Sequence, residues 1–359
     1  MIIFRYLAKE IFIMLSILTA MLLLIFMSNQ FVHYLSRAAN GQIPGMIVMK
    51  LMLLEMPNLL GLLLPLGFYM AIILAYGRLY ADSEMIVLKA CGYGQKQLLQ
   101  HSLIMAALIA LIVGIIMLWF APIIAVERAK LLHTTGIKTL VQMLIPGKFN
   151  TISNGKHIFY VESMNHQRTQ AHNLFYARKE IKNAQPQWNI MWSQYAFMRH
   201  NTTINEDYIV LQNGKQYEGI PGKADYQIAK FAQYTARLPH PTIDIDNDIH
   251  ITKTKNLLPF FNKDRNKIAE LQWRLSLPVM VLILTLVAVP LSAINPRNGR
   301  FAKLLPAIFI YFLYANFLFV ARNWLVSEKI PQWLGLWWLH LVIGLLGIIL
   351  LLRNRVKLS

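Results

Sequence analysis

Long uninterrupted apolar stretches constrain this sequence more than any other feature. A helix needs about 20 apolar residues to cross a hydrocarbon layer, and five regions reach or exceed that length. Ile11–Val32 carries no charge, and Met46–Tyr76 is interrupted only by Lys50 and Glu55. Ser102–Val126 and Leu275–Ile294 follow. Leu304–Leu352 is too long for one span and is broken by Arg322, Glu328, Lys329 and Pro331, so it divides into two helices. Six spans are therefore expected. The first begins near Arg5 and Lys9, as a secretory signal would, but its apolar run exceeds the roughly 7–15 residues of a signal core and no small-x-small site follows.

Between the third and fourth spans lies a block, Glu127–Leu271, rich in Asn, Gln, Thr, Tyr and charge. Its apolar residues come in short alternating runs such as His157–Glu162, Trp188–Phe197 and Tyr208–Gln212, the pattern of half-buried strands. Asn213-Gly214 between two runs signals a hairpin. The expected fold class is an α+β membrane protein: helices 1–3 within residues 1–126, an all-β sandwich or jelly roll over 127–271, and helices 4–6 within 272–359.

Charge then sets orientation. Basic residues of the short segments divide into Arg5, Lys9, Arg78, Lys89, Lys96, Arg297, Arg300, Lys303, Arg353, Arg355 and Lys357 on one side, against Arg37, Arg322 and Lys329 on the other. Eleven against three places the first side, with both termini, in the cytoplasm. The β block then lies outside, in a bacterial periplasm. The net charge of +18 follows this pattern and flanks apolar spans, which disfavours nucleic acid as the partner.

The chemistry of an enzyme is missing. Charged residues make up 14% of the chain, against about 25% in soluble domains, and Cys91 is the lone cysteine, so no intrachain disulfide is possible. No H-E-x-x-H, G-x-S-x-G or G-x-x-x-x-G-K-[ST] motif occurs. Asp244-x-Asp246-x-Asp248 starts like a calcium loop, yet Ile249 stands where the turn needs glycine and Lys255 where it needs glutamate. The histidines have no ligand spacing, and no metal site is expected.

The segment between the second and third spans, Tyr76–His101, predicts a short helix over about residues 79–92, capped by Asp82 or Ser83 and ended by Gly92 and Gly94. Met85, Val87 and Leu88 give it an apolar face, and Lys89 follows. Such a helix fits either a connector lying on lipid or a coupling helix docked in a partner ATPase. Glu84 favours the second, because a lone carboxylate gains little from anionic lipid but pairs well with an arginine.

Several stretches resemble the lipopolysaccharide-export permease family, the LptF/LptG type. They are Ile3-Phe4-Arg5-Tyr6-Leu7 with Glu10; Leu79-Tyr80-Ala81-Asp82-Ser83-Glu84 through Lys89-Ala90-Cys91-Gly92; Glu270-Leu271-x-Trp273-Arg274; and Val289-Pro290-Leu291-Ser292 with Asn295-Pro296-Arg297-x-Gly299-Arg300. The last, with Ala90-Cys91-Gly92, is most similar to the F-type subunit. The resemblance implies an inner-membrane permease without catalytic residues, paired with a G-type permease subunit. A cytoplasmic ABC ATPase dimer would supply ATP and Mg chemistry, and a single-span periplasmic bridge protein would receive lipopolysaccharide. Glu84 matches the family glutamate that meets the ATPase, with Asp82, Met85, Leu88 and Lys89 beside it. A permease for another lipid or for lipoproteins would share the topology.

Such a substrate needs an apolar path and an anion contact. Leu23, Phe26 and Met27 of the first span, Phe312 and Phe317 of the fifth, and Ile209 and Leu211 of the β block are candidates for the acyl path. His33, Arg37, Arg274 and Arg322 are candidates for the phosphates. The family often carries basic residues where Gln30 and His33 stand here. Lys50 and Glu55 sit inside the second span, about 140° apart around the helix, so each needs a partner elsewhere.

Overall fold

The computed structural model describes residues 2–39, 43, 45–134, 146–152, 157–165, 170–182, 185–201, 206–220, 223, 226–237, 251–257, 264–293 and 303–356. The Asn295–Arg300 motif and the Asp244–Asp248 triplet lie outside them. The chain divides into two compact units. One comprises Met1–Gln30, Met52–Arg128 and Asp244–Ser359, and the other Phe31–Leu51 and Ala129–Ile243.

Apolar sequence becomes helix, as hydrocarbon demands, because a helix satisfies its own backbone. Helix α1 covers Ile2–Ala39 and α2 Gly45–Ala81. A short α3, Glu84–Ala90, precedes α4, Gln95–Ile115, which runs through a π-helical turn at Ile116–Phe120 into α5, Ala121–Thr134. After the sheet come α6 (Thr254–Leu257), α7 (Arg265–Leu291), α8 (Leu304–Val326) and α9 (Trp337–Val356). Among the described residues, five helical stretches are long and apolar enough to span a membrane: α1, α2, α4 continued to Leu132, α7 and α8. The apolar part of α9, Trp337–Arg353, is shorter.

Burial ranks the spans. In the apolar windows of α2 and α7, 67% and 61% of residues are buried, against 17% in α1 and 22% in α8. The second and fourth spans are therefore central. Phe68, Tyr69 and Tyr76 of α2 pack in one cluster with Met105 and Ile109 of α4, Met280 and Leu284 of α7 and Tyr314 of α8. Lipid is as apolar as leucine, so helices associate through close packing rather than hydrophobic drive. Gly67 permits such packing: a Cβ there would lie 2.7 Å from the Thr19 hydroxyl.

The β block forms one antiparallel sheet of β1 (Asn150–Ile152), β2 (His157–Met164), β3 (Gln170–Lys182), β4 (Gln185–Asn201), β5 (Glu206–Gly219) and β6 (Tyr226–Arg237). The strands are neighbours in sequence order, β1 to β6. The expected sandwich or jelly roll is thus, among the described residues, a single meander without crossovers. Local hairpins account for every pairing.

One row of this sheet is irregular. The ladder lapses at Glu162 opposite Asn173, Asn173 opposite Gln194, Gln194 opposite Asn213, and Asn213 opposite Ala232, while the register on both sides stays continuous. Asn173 and Asn213 are left-handed there, with φ of 50° and 52°. Across this line the alternation shifts by one residue. Val161 and Met164, Ala171 and Leu174, Ser193 and Ala196, and Leu211 and Gly214 are all three apart, yet each pair lies on the less accessible face.

Asn213-Gly214, expected as a hairpin turn, therefore lies inside β5. Its residue preferences suit a positive φ wherever the backbone needs one. Gly214 also makes room, since a Cβ would lie 2.5 Å from the Trp192 carbonyl oxygen and 2.3 Å from Phe231 Cζ. Gly214→Val is expected to lower stability by roughly 1–3 kcal/mol, and Asn213→Gly to be tolerated. Thermal unfolding of the purified protein, followed by tryptophan fluorescence, checks both.

Candidate functional site

The turn between the second and third spans is built from both helix ends and the start of α1. Asp82 N donates to the Arg78 carbonyl at 2.9 Å and Ser83 N to that of Tyr80 at 3.2 Å, closing α2. Ser83 then takes a left-handed φ of 63° and starts α3 without a side-chain cap. The expected capping by Ser83 is absent: it stands at the cap position but its left-handed backbone departs from the extended conformation of a capping residue, and Asp82 lies one residue before that position. Glu84 accepts a hydrogen bond from the Tyr6 hydroxyl at 2.6 Å. Glu10 pairs with Arg78 at 2.8 Å. Lys89 lies over the Tyr80 ring, 4.9 Å from its centroid, and burial lowers its pKa.

The apolar face of α3 differs from expectation. Met85 is 1% exposed and joins the helical core, and Leu88 packs against that core. Ile86 and Val87 are instead 51% and 62% exposed. The short helix turns Met85 inward because Tyr80 and Tyr93 of the flanking segments belong to the same cluster. The accessible surface is thus Asp82, Ser83, Ile86, Val87, Ala90 and Cys91, with Glu84 half-buried at its edge. Only Val87 of the exposed pair was read from the sequence.

A second constellation joins α6, α7 and α8. Glu270 accepts from Arg274 Nε at 2.9 Å and from Arg322 Nη2 at 2.7 Å. Arg274 also donates to the Thr252 carbonyl at 3.1 Å and to Thr254 Oγ1 at 2.9 Å. Thr254 donates in turn to the Leu118 carbonyl, within the π-helical turn. Such turns leave carbonyls for outside donors. Arg322 stacks on Trp273 at 5.4 Å. Arg274, expected to meet a phosphate, is 2% exposed and bound to Glu270, whose buried carboxylate requires a counter-charge. Arg322 remains half-buried at the edge. Sequence reasoning placed Glu270 in a motif but missed its function; the signal was a carboxylate four residues before an arginine on one helix face.

The remaining candidates divide by accessibility. Phe26, Phe312 and Phe317 are exposed, and Leu23 and Met27 half-buried. His33 is exposed and Arg37 half-buried, four residues apart and so on one side of α1. Ile209 and Leu211 share the packed cluster of the sheet with Phe159 and Val161. Glu55 pairs with Arg128 at 2.8 Å, supplying the partner its membrane depth demands. Lys50 is exposed. No group of three or more metal-ligating side chains occurs among the described residues.

A bundle of apolar helices joined to a separate antiparallel sheet defines a multi-pass membrane protein. The sequence model of the lipopolysaccharide export system permease LptF/LptG family matches residues 5–353. The chain belongs to this family. It is similar to the lipopolysaccharide export system permease protein LptF of Escherichia coli K12, at 30% identity over 99% of this chain and 96% of the relative. The proteins of that name from Escherichia coli O157:H7 and Shigella flexneri match to the same extent, 30% identity over 99% of this chain and 96% of each relative.

The inward turn of α3 makes a prediction. Met85→Ala is expected to cost about 2–5 kcal/mol, and Ile86→Ala or Val87→Ala no more than about 0.5 kcal/mol. Thermal melting of the detergent-solubilised protein distinguishes them.

Proposed function

We propose that this chain is the F-type permease subunit of an ATP-driven complex that extracts lipopolysaccharide from the inner membrane and passes it toward the outer membrane. The observation that carries this reading is the family match along nearly the whole chain. In the same reading α9 is the sixth span: its 20 residues extend about 30 Å. Both termini and α3 face the cytoplasm, as the distribution of basic residues favours. The sheet then projects into the periplasm as an open counterpart of the jelly roll.

The energetics explain the division of labour. Each methylene moved from lipid into water costs about 0.8 kcal/mol, so dozens of them demand both an apolar path and an outside source of work. The first and fifth spans are the two least buried. Their exposed Phe26, Phe312 and Phe317 suit the walls of a lateral opening shared with a G-type partner. His33, Arg37 and Arg322 are proposed to meet the phosphates. The sheet, with Ile209 and Leu211 on its apolar face, would carry acyl chains toward a single-span bridge protein. A cytoplasmic ATPase dimer, with its own ATP and Mg, would dock on Glu84, Ile86 and Val87, with Asp82 and Lys89 at the rim. Tyr6 holds Glu84 in place, and Met85 and Leu88 fix the helix from behind.

Two measurements test this. Photo-crosslinkers at Phe26 and Phe312 should capture lipopolysaccharide only when ATP is hydrolysed; capture of a different lipid or a lipoprotein would point to the related permease class. Glu84→Ala should lower ATPase co-purification and transport, and Cys91, exposed in the chain, should be shielded from maleimide once the ATPase is bound. Unchanged co-purification and unchanged labelling would remove the docking assignment.

A further inference from the structure

Tyr160, Phe175 and Trp192 are register partners on β2, β3 and β4, and each adjoins a member of the packed cluster: Val161, Leu174 and Met191. Successive residues of a strand point to opposite faces, so these rings lie on the face of the sheet away from that cluster. Phe149, just before β1, packs against the row, its ring 4.9 Å from that of Tyr160 and 6.3 Å from that of Phe175. With Glu162 and Asn173 the four rings line a pocket of about 360 Å³, within the usual range for small-ligand sites. Its walls are accessible, since Phe149 is 62% and Trp192 39% exposed. Lys148 and Lys215, the neighbours of Phe149 in sequence and of Trp192 in register, are not among its lining residues.

The walls select the ligand. Phe149 is tilted 37° from Tyr160 and stands at 87° to Phe175, so the rings form a corner rather than the flat platform on which a sugar ring stacks. Ring faces are electron-rich and attract cations. Glu162 adds a full negative charge to the same pocket, and Asn173 Nδ2 donates to its Oε2. Asn173 reaches it from the row where the ladder lapses, with a left-handed φ of 50°. An anion would be repelled by Glu162 and by the ring faces, and a neutral apolar molecule would leave the carboxylate without use. We propose that this pocket binds an alkylammonium group, of a free amine or of an amphiphile's headgroup. The ring faces would meet its methyl or methylene groups, Glu162 would supply the counter-charge, and Asn173 is the positioning residue that holds Glu162. The transport reading above assigns no role to any of these residues, so the two stand independently.

The test is a ligand-observed NMR titration of the whole protein in a maltoside detergent, which carries no ammonium group. Choline and ethanolamine are expected to bind with a Kd on the order of millimolar. The neutral carbon analogue of choline, with a tert-butyl in place of the trimethylammonium group, should bind about fivefold more weakly. Glu162→Gln keeps the shape and should weaken choline about threefold while leaving the neutral analogue unchanged. Trp192→Leu should weaken choline about fivefold. Dihexanoyl phosphatidylethanolamine, used as a monomer, separates the sources: tighter binding than ethanolamine assigns the group to a lipid headgroup, and binding no tighter assigns it to a free amine. Equal binding of choline and its neutral analogue, no binding of either, or an unchanged choline affinity in Glu162→Gln overturns the proposal. Should Trp192→Leu fail to fold, Glu162→Gln decides alone.

Discussion

Inside a bilayer a polypeptide has no water to bond, so every amide must find its partner within the chain. The rest of this structure depends on that constraint. It makes the apolar stretches helical, and burial makes an opposite charge necessary to a carboxylate. Glu55 meets Arg128, and Glu270 meets Arg274 and Arg322. Even the π-helical turn obeys it, since the Leu118 carbonyl is bonded by Thr254. The central spans, α2 and α7, carry prolines at 57, 65, 278 and 290, tolerated where neighbouring helices surround them.

The two units solve different problems. The helical unit places its least buried spans, α1 and α8, where lipid or a partner subunit can reach them. In the sheet unit the described strands form a meander of hairpins, with Val161, Leu174 and Leu211 packed together in its cluster. The row from Glu162 to Ala232 shifts its alternation, so the apolar face continues across an interruption that strict alternation would have ended. Asn173 and Asn213 absorb the change because their short polar side chains tolerate a left-handed backbone.

Work enters at α3 in the proposed cycle, and the details of that turn are suited to it. Met85 ties the short helix to the core of the spans, while Ile86 and Val87 face outward. In that proposal a push on the outer residues would pass through a packed side chain rather than through a flexible loop. Tyr6, at the start of α1, touches the same element through Glu84. The first span and the coupling turn are therefore joined at the residue assigned to meet the ATPase.

Much of this was legible in the residues themselves. Apolar length revealed the spans, because hydrocarbon admits few alternatives to a helix. Alternation revealed strands, and the motifs around Glu84 and Glu270 revealed the family. The tertiary structure alone decided the rest. Asn213-Gly214 reads as a hairpin in isolation, and only the neighbouring strands show that its positive φ serves a fault line instead. Met85 and Val87 are equally apolar, and only packing against Tyr80 and Tyr93 turns one inward. Arg274 and Arg322 look alike as cations; the buried carboxylate of Glu270 makes the first a structural counter-ion and leaves the second at the surface. Sequence specifies what each segment is able to do, but charge pairing and side-chain contacts act between segments far apart in the chain, and those are settled by the fold.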